Sequence, residues 1–285
     1  MLRYGLAETR RFLKNRYTYV SFLVVLAFSI VFSVGFAINY NTVFGPTGQN
    51  IRMGTGTPSW FAVCGLFIAY SQLGIIFILI LNILIVLYYR EWKGGVIGHT
   101  IATGLSRTKL YFAKYIHAAI TTALVLLLYF VIHTGLLTAL LKTSTMVGYY
   151  PDIWRLYLHV LLYYLAFLAM LHGLTFMTRG GFTPIILGIT LATFIVETLL
   201  FTILRFIRSI GPWTGEQIAN FFKQFSLQTA FFNVIVLRTG IPFDEIMPGA
   251  ADVMSFEHGV YILLGRTIVY LLIGYLVFRH RAIDE

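Results

Sequence analysis

What this 285-residue chain lacks sets its class. Only 11% of its residues are charged, against roughly 25% in an average soluble domain. It has too little polar surface to face water all round, and 58% of it is hydrophobic, so a membrane protein is implied. One cysteine, Cys64, excludes an intrachain disulfide and a cysteine metal cluster. Acids are scarce: 11 Asp and Glu stand against 21 Lys and Arg, for a net charge of +10. A basic balance can signal phosphate neutralisation on nucleic acid. Here, however, the bases cluster at the ends of apolar runs, as the positive-inside rule and anionic lipid headgroups favour. No nucleic-acid partner is expected.

Catalytic signatures are missing too. There is no G-x-x-x-x-G-K-[ST] phosphate loop. The seven histidines show no i, i+3 or i+4 ligand pair and no H-E-x-x-H, so no metal site is expected. Neither a Ser-His-Asp elbow nor paired carboxylates in one apolar run is visible. The chain is not expected to be an enzyme or to hold a cofactor itself. His117, His133, His159 and His172 are expected to make hydrogen bonds between helices.

What is present is length of apolar run. About 20 such residues cross the hydrocarbon core, and six stretches qualify: 17–39, 65–89, 115–141, 156–178, 182–204 and 260–278. Backbone groups in lipid must be satisfied internally, so each is expected to be a helix. The first is too long for a signal-peptide core and is expected to be retained. The expected fold is all-α, a polytopic six-helix bundle over 17–285. Lys and Arg concentrate before the first run, in 90–114, at Arg179 and after the last run, which places both termini in the cytoplasm.

Three segments outside these runs carry information. Residues 1–16 set Leu2, Leu6 and Leu13 against Arg3, Arg10 and Lys14 at helical spacing, predicting an interfacial helix over 2–14. In 205–257, Thr214 and Gln217 form a capping box ahead of Ile218, Phe221, Phe222 and Phe225. That pattern predicts an aromatic amphipathic helix at the outer face, either re-entrant or sealing the bundle. The third segment, 90–114, contains Gly94, Gly95, Gly98 and Gly104, which permit tight turns around a short helix near 97–104. Ser106 is placed to cap the next helix near Arg107. Arg107, Lys109 and Lys114 are then expected at the membrane border.

Two runs hold a charge: Glu197 in the fifth and Arg266 in the sixth. A lone charge at depth costs at least about 2.5 kcal/mol. With one helix running outward and the other inward, both lie at similar depth and are expected to form an ion pair.

The run Glu91-x-x-x-Gly95-Val96-Ile97, followed by Gly104-x-Ser106-Arg107-x-x-x-Tyr111-x-x-Lys114, resembles the turn between helices two and three of ABC-2 family permeases. The family pattern is E-x-x-x-G-T-[IL]…G-x-S-R-x-x-x-Y-x-x-K. Val96 replaces its usual Thr, and Gly98 stands where a base is common. The closing Gly274-Tyr-Leu-Val-Phe278-Arg-His-Arg281 is also similar to that family. The resemblance implies the permease subunit of an ATP-driven exporter in the bacterial plasma membrane. ATP and Mg would be held by a partner ATPase dimer, beside a second permease copy or a paralogue. It implies coupling roles for Glu91, Gly95, Gly104, Ser106, Arg107 and Lys114. Helices two and five would line the transport path, making Gln72, Asn82, Thr190 and Phe194 candidate pathway residues. The nearest look-alikes export amphipathic antimicrobial or toxin peptides; polysaccharide, lipid or drug export is the alternative within the family. An ion-coupled secondary transporter or a non-transporting membrane sensor is the alternative in class.

Overall fold

The computed structural model describes residues 2–44, 90–140, 150–178 and 256–280, together with Tyr88 and a few isolated positions. Among these residues the architecture is helical and contains no strand. The helices are α1 (Leu2–Lys14), α2 (Arg16–Phe44), α3 (Arg90–Lys93), α4 (Val96–Ala102), α5 (Arg107–Leu140), α6 (Tyr150–Thr178) and α7 (Phe256–His280). Four of them, α2, α5, α6 and α7, are long and apolar enough to cross a membrane. The expected runs 65–89 and 182–204 fall almost wholly outside the described residues, as does the aromatic segment 205–257.

The leading helix forms over the residues its pattern predicts. Glu8 and Phe12, one turn apart, are buried at 3% and 7% exposure, whereas Arg10 and Lys14 are exposed. The chain then bends at Asn15. Its carbonyl accepts the Thr18 N–H at 3.0 Å, and the Thr18 hydroxyl donates to the Phe12 carbonyl at 2.7 Å. The last turn of α1 is thereby satisfied as α2 begins.

The helix α5 starts at Arg107, eight residues before the apolar run 115–141. The run was defined by absence of charge, but the helix is defined by its cap. Ser106 Oγ accepts the Lys109 N–H at 3.3 Å, so the basic first two turns are helical as well.

Packing brings the helices together by small residues and hydroxyls. Among the described residues the most extensive helix pair is α6 with α7. A Cβ at Gly274 would lie 2.5 Å from the Gly173 Cα and 2.5 Å from the Tyr111 hydroxyl. Glycine at this crossing lets two backbones touch, as small residues do between membrane helices. Tyr115 donates to the Leu165 carbonyl at 3.2 Å and Tyr157 to the Ala123 carbonyl at 3.0 Å, fastening α5 to α6. On the opposite flank, α2 meets α5 where Ser33 Oγ lies 2.7 Å from His133 Nδ1. The Ser33 proton goes to the Ser29 carbonyl at 2.6 Å, so Nδ1–H of His133 is the donor to Ser33. Ile116, Ile120, Leu124 and Leu128 recur one turn apart on the exposed side of α5, the surface an apolar solvent would wet.

Candidate functional site

The site is the end of the bundle where α1, the 90–106 segment, the start of α5 and the finish of α7 meet. Its outer part is a pair of turns. Gly95 takes φ of 68° and lets α4 start directly after α3. Gly104 takes φ of 97°. Its N–H bonds the Ile101 carbonyl at 3.0 Å, and the Leu105 N–H bonds the Thr100 carbonyl at 3.3 Å. This is the paired closure of a Schellman motif, for which a left-handed residue is required and glycine is cheapest. The short helix expected near 97–104 is therefore Val96–Ala102, bracketed by two positive-φ glycines. Ile97 points into the core at 1% exposure, and His99 and Ala102 are exposed.

Beneath these turns lies a closed ring of four charges. Arg11 Nη1 contacts Glu8 Oε1 at 3.7 Å and Glu91 Oε1 at 2.5 Å. Lys114 Nζ contacts Glu8 Oε1 at 3.5 Å and also pairs with Glu91 Oε2. Signs alternate around the ring and sum to zero. The side chains of Lys114, Glu8 and Glu91 are 2%, 3% and 7% exposed, whereas that of Arg11 is 55% exposed. Burying charge is costly unless partners replace water. Here each carboxylate has two cations and each cation two carboxylates. Three separate elements are tied by this ring: α1 through Glu8 and Arg11, α3 through Glu91, and α5 through Lys114.

An aromatic clasp continues the joint inward. Lys114 Nζ stands 5.5 Å over the Tyr88 ring, close enough for cation–π attraction. The Tyr88 hydroxyl lies 2.7 Å from His172 Nδ1 on α6, with both residues at 0% exposure. Phe176 then packs edge-on against Tyr88, Trp92, Tyr111 and Phe278, at centroid distances of 5.8, 5.7, 5.0 and 4.7 Å. Such pairs contribute about 0.5–1.5 kcal/mol each beyond area burial. The Tyr111 hydroxyl donates to the Leu271 carbonyl at 3.1 Å. Arg107 Nη1 donates to the Arg279 carbonyl at 3.0 Å, at the end of α7 where the helix leaves carbonyls unsatisfied.

The six residues marked by the motif thus divide by physical role. Gly95, Gly104 and Ser106 shape the backbone, Arg107 closes α7, and Glu91 and Lys114 belong to the ring. Lys114 is buried, and the only two acids before Asp152 in the sequence, Glu8 and Glu91, converge on it. Glu8, Arg11 and Tyr88 are not among the site residues expected from the sequence, and His172 was expected to bond another helix without a named partner. Opposite charges three residues apart on an acid-poor helix were the available signal for the first two. Nothing local pairs Tyr88 with His172, which is 84 residues away.

The histidines largely meet their expected role. His133 bonds α2, His172 bonds Tyr88, and His117 Nε2 lies 3.2 Å from Thr9 Oγ1 of α1. The side chain of His159 lies outside the described set. So do the candidate pathway residues Gln72, Asn82, Thr190 and Phe194, and Glu197 of the expected ion pair. Its partner Arg266 is half-buried on α7. No protein-family model matches the chain, and no curated protein matches it.

Proposed function

We propose that this chain is the permease subunit of an ATP-driven exporter, with ATP hydrolysed on a separate subunit that docks on the 90–106 segment from the cytoplasm. The observation that carries the reading is mechanical. The short helix α4, with glycines at both ends, follows α3, and Glu91 and Trp92 of α3 are tied by one buried ionic ring and one aromatic clasp to the leading helix and to three membrane-length helices. In this reading a push on α4 passes through α3 to α5, α6 and α7 together. An ordinary topogenic loop has no need of that arrangement.

In this reading Gly95 and Gly104 keep the docking helix in register, Glu91 and Lys114 transmit, and Arg107 holds the end of α7. ATP binding can shift the permease between states only through its differential affinity for them. The cargo we propose is amphipathic peptide, passed between two permease copies. The test is to purify the full chain from its native membrane and identify what accompanies it. An accompanying protein with a G-x-x-x-x-G-K-[ST] loop, whose ATP turnover rises with added amphipathic peptide, is expected. Deleting 97–103 should abolish that association while membrane insertion persists. Association and turnover unchanged by the deletion would sink the docking assignment.

A further inference from the structure

Glu8 and Glu91 are both engaged inside the ring. They are the only carboxylates among the described side chains, and both are buried. Among the described residues the exposed charges around them are all positive: Arg10, Lys14, Arg16, Lys93, Lys109 and Arg279. Most of these sit at one level. The apolar window of α2 opens at Thr18, that of α5 opens at Arg107, and that of α7 closes at His280. Arg16, Lys109 and Arg279 lie within two residues of those borders, and Lys14 within four. The contacts of Glu8 with Lys114, and of Arg107 with the Arg279 carbonyl, hold the three borders side by side.

The register of α1 adds a second arc to this rim. At 3.6 residues per turn, positions 2, 6 and 13 fall within about 40° of one another, and positions 3, 10 and 14 fall in the adjoining arc. The first set is leucine and the second is basic. Glu8 and Phe12 occupy the side turned to the bundle. Leu13 is 50% exposed, so the leucine arc is not spent on packing there.

We infer that α1 and the adjoining helix ends form a seat for anionic phospholipid headgroups. The bases take the phosphates and the leucine arc takes the upper acyl chain. An acidic protein surface would satisfy the bases but leave Leu13 facing water, whereas a lipid satisfies both. This seat does not depend on the transport reading.

The full chain, reconstituted in phosphatidylcholine bilayers with a trace of spin-labelled lipid, tests it by electron spin resonance. Phosphatidylglycerol should be motionally restricted in preference to phosphatidylcholine, and the preference should weaken as salt rises. One basic residue near the surface contributes about fivefold in local affinity. Averaged over the lipid shell, Arg10→Gln with Lys14→Gln should lower the mean preference at least about twofold. Both residues lie outside the ring, so the thermal midpoint serves as the control for folding. Equal restriction of the two lipids, or a preference untouched by the double variant, overturns the inference. So does loss of a protein partner from that variant with no lipid preference to begin with, which would assign the rim to protein.

Discussion

The ionic ring at one end of the bundle and the Ser33–His133 contact within it solve the same problem by opposite means. Each ties a helix to α5 through buried polar groups. The ring uses four full charges with one member, Arg11, reaching solvent. The second contact uses a hydroxyl, a ring N–H and a backbone carbonyl, all of which can be neutral. The difference follows from access to solvent: Arg11 is 55% exposed, whereas Ser33 and His133 are fully buried. Near the border, water or a headgroup can reach one member, and the desolvation cost is shared. Where every member is buried, a charge has no such outlet, and a neutral hydrogen bond satisfies donors and acceptors at lower cost. A joint of charges is strong but fails badly when one member is lost. A joint of neutral groups is weaker and degrades gently.

Lys114→Met should give the largest effect, because it leaves Glu8 and Glu91 buried with Arg11 alone. Removing one partner of a buried pair costs about 3–5 kcal/mol. A drop of the thermal midpoint in detergent by many degrees, partly recovered when Glu8→Gln is added, would support the ring. A drop that Glu8→Gln does not relieve would mean that the lysine stem, and not its charge, holds the joint.

The ring also shows what a sequence can and cannot reveal. Helix α1, the glycine turns at 95 and 104, and the Ser106 cap were all legible, because each depends on residues within a few positions of one another. The burial of Lys114 was not. Its partners lie 106 and 23 positions away, and charge at the end of an apolar run has an obvious local explanation in topology. Tyr88 was hidden for a similar reason: at the end of an apolar run an aromatic looks like an interface anchor until His172 is seen beside it. Residues 115–141 gave a span, whereas the helix begins where the cap lies.

Tyr88→Phe tests the boundary between the two kinds of joint. It keeps the ring under Lys114 and the edge contacts with His172 and Phe176, and deletes one hydroxyl. His172 Nδ1 then loses its described partner, at about 1–3 kcal/mol for an unsatisfied buried group. The loss should be independent of salt, since no net charge is removed. A marked salt dependence would place Tyr88 functionally inside the ionic joint.

Ser33→Ala should cost less than Lys114→Met, about 1–3 kcal/mol, because the buried Nδ1–H of His133 loses Ser33 Oγ. The Ser29 carbonyl remains bonded within α2, and His133 keeps the Tyr129 ring stacked on it at 5.9 Å. If this variant loses as much stability as Lys114→Met, the distinction between charged and neutral joints fails.

The smallest effect expected is that of Arg11→Gln, and it is the one that most sharpens the comparison. By formal charge Arg11 equals Lys114: each meets both carboxylates, and Arg11 makes a close contact with Glu91 at 2.5 Å. By burial they are unequal, with 55% of the Arg11 side chain exposed against 2% for Lys114. Water can enter the space the guanidinium leaves and solvate the outer edges of Glu8 and Glu91. Solvent-exposed pairs contribute about 0–1 kcal/mol and are screened by salt. The midpoint should therefore fall only slightly at low ionic strength, and the gap from the parent protein should close at high salt. Two double-mutant cycles measure the asymmetry directly. Coupling of Arg11→Gln with Glu91→Gln should stay below about 1 kcal/mol. Coupling of Lys114→Met with Glu91→Gln should exceed it severalfold. Equal couplings would mean that the ring acts as one indivisible unit, and that exposure of a single member does not soften it.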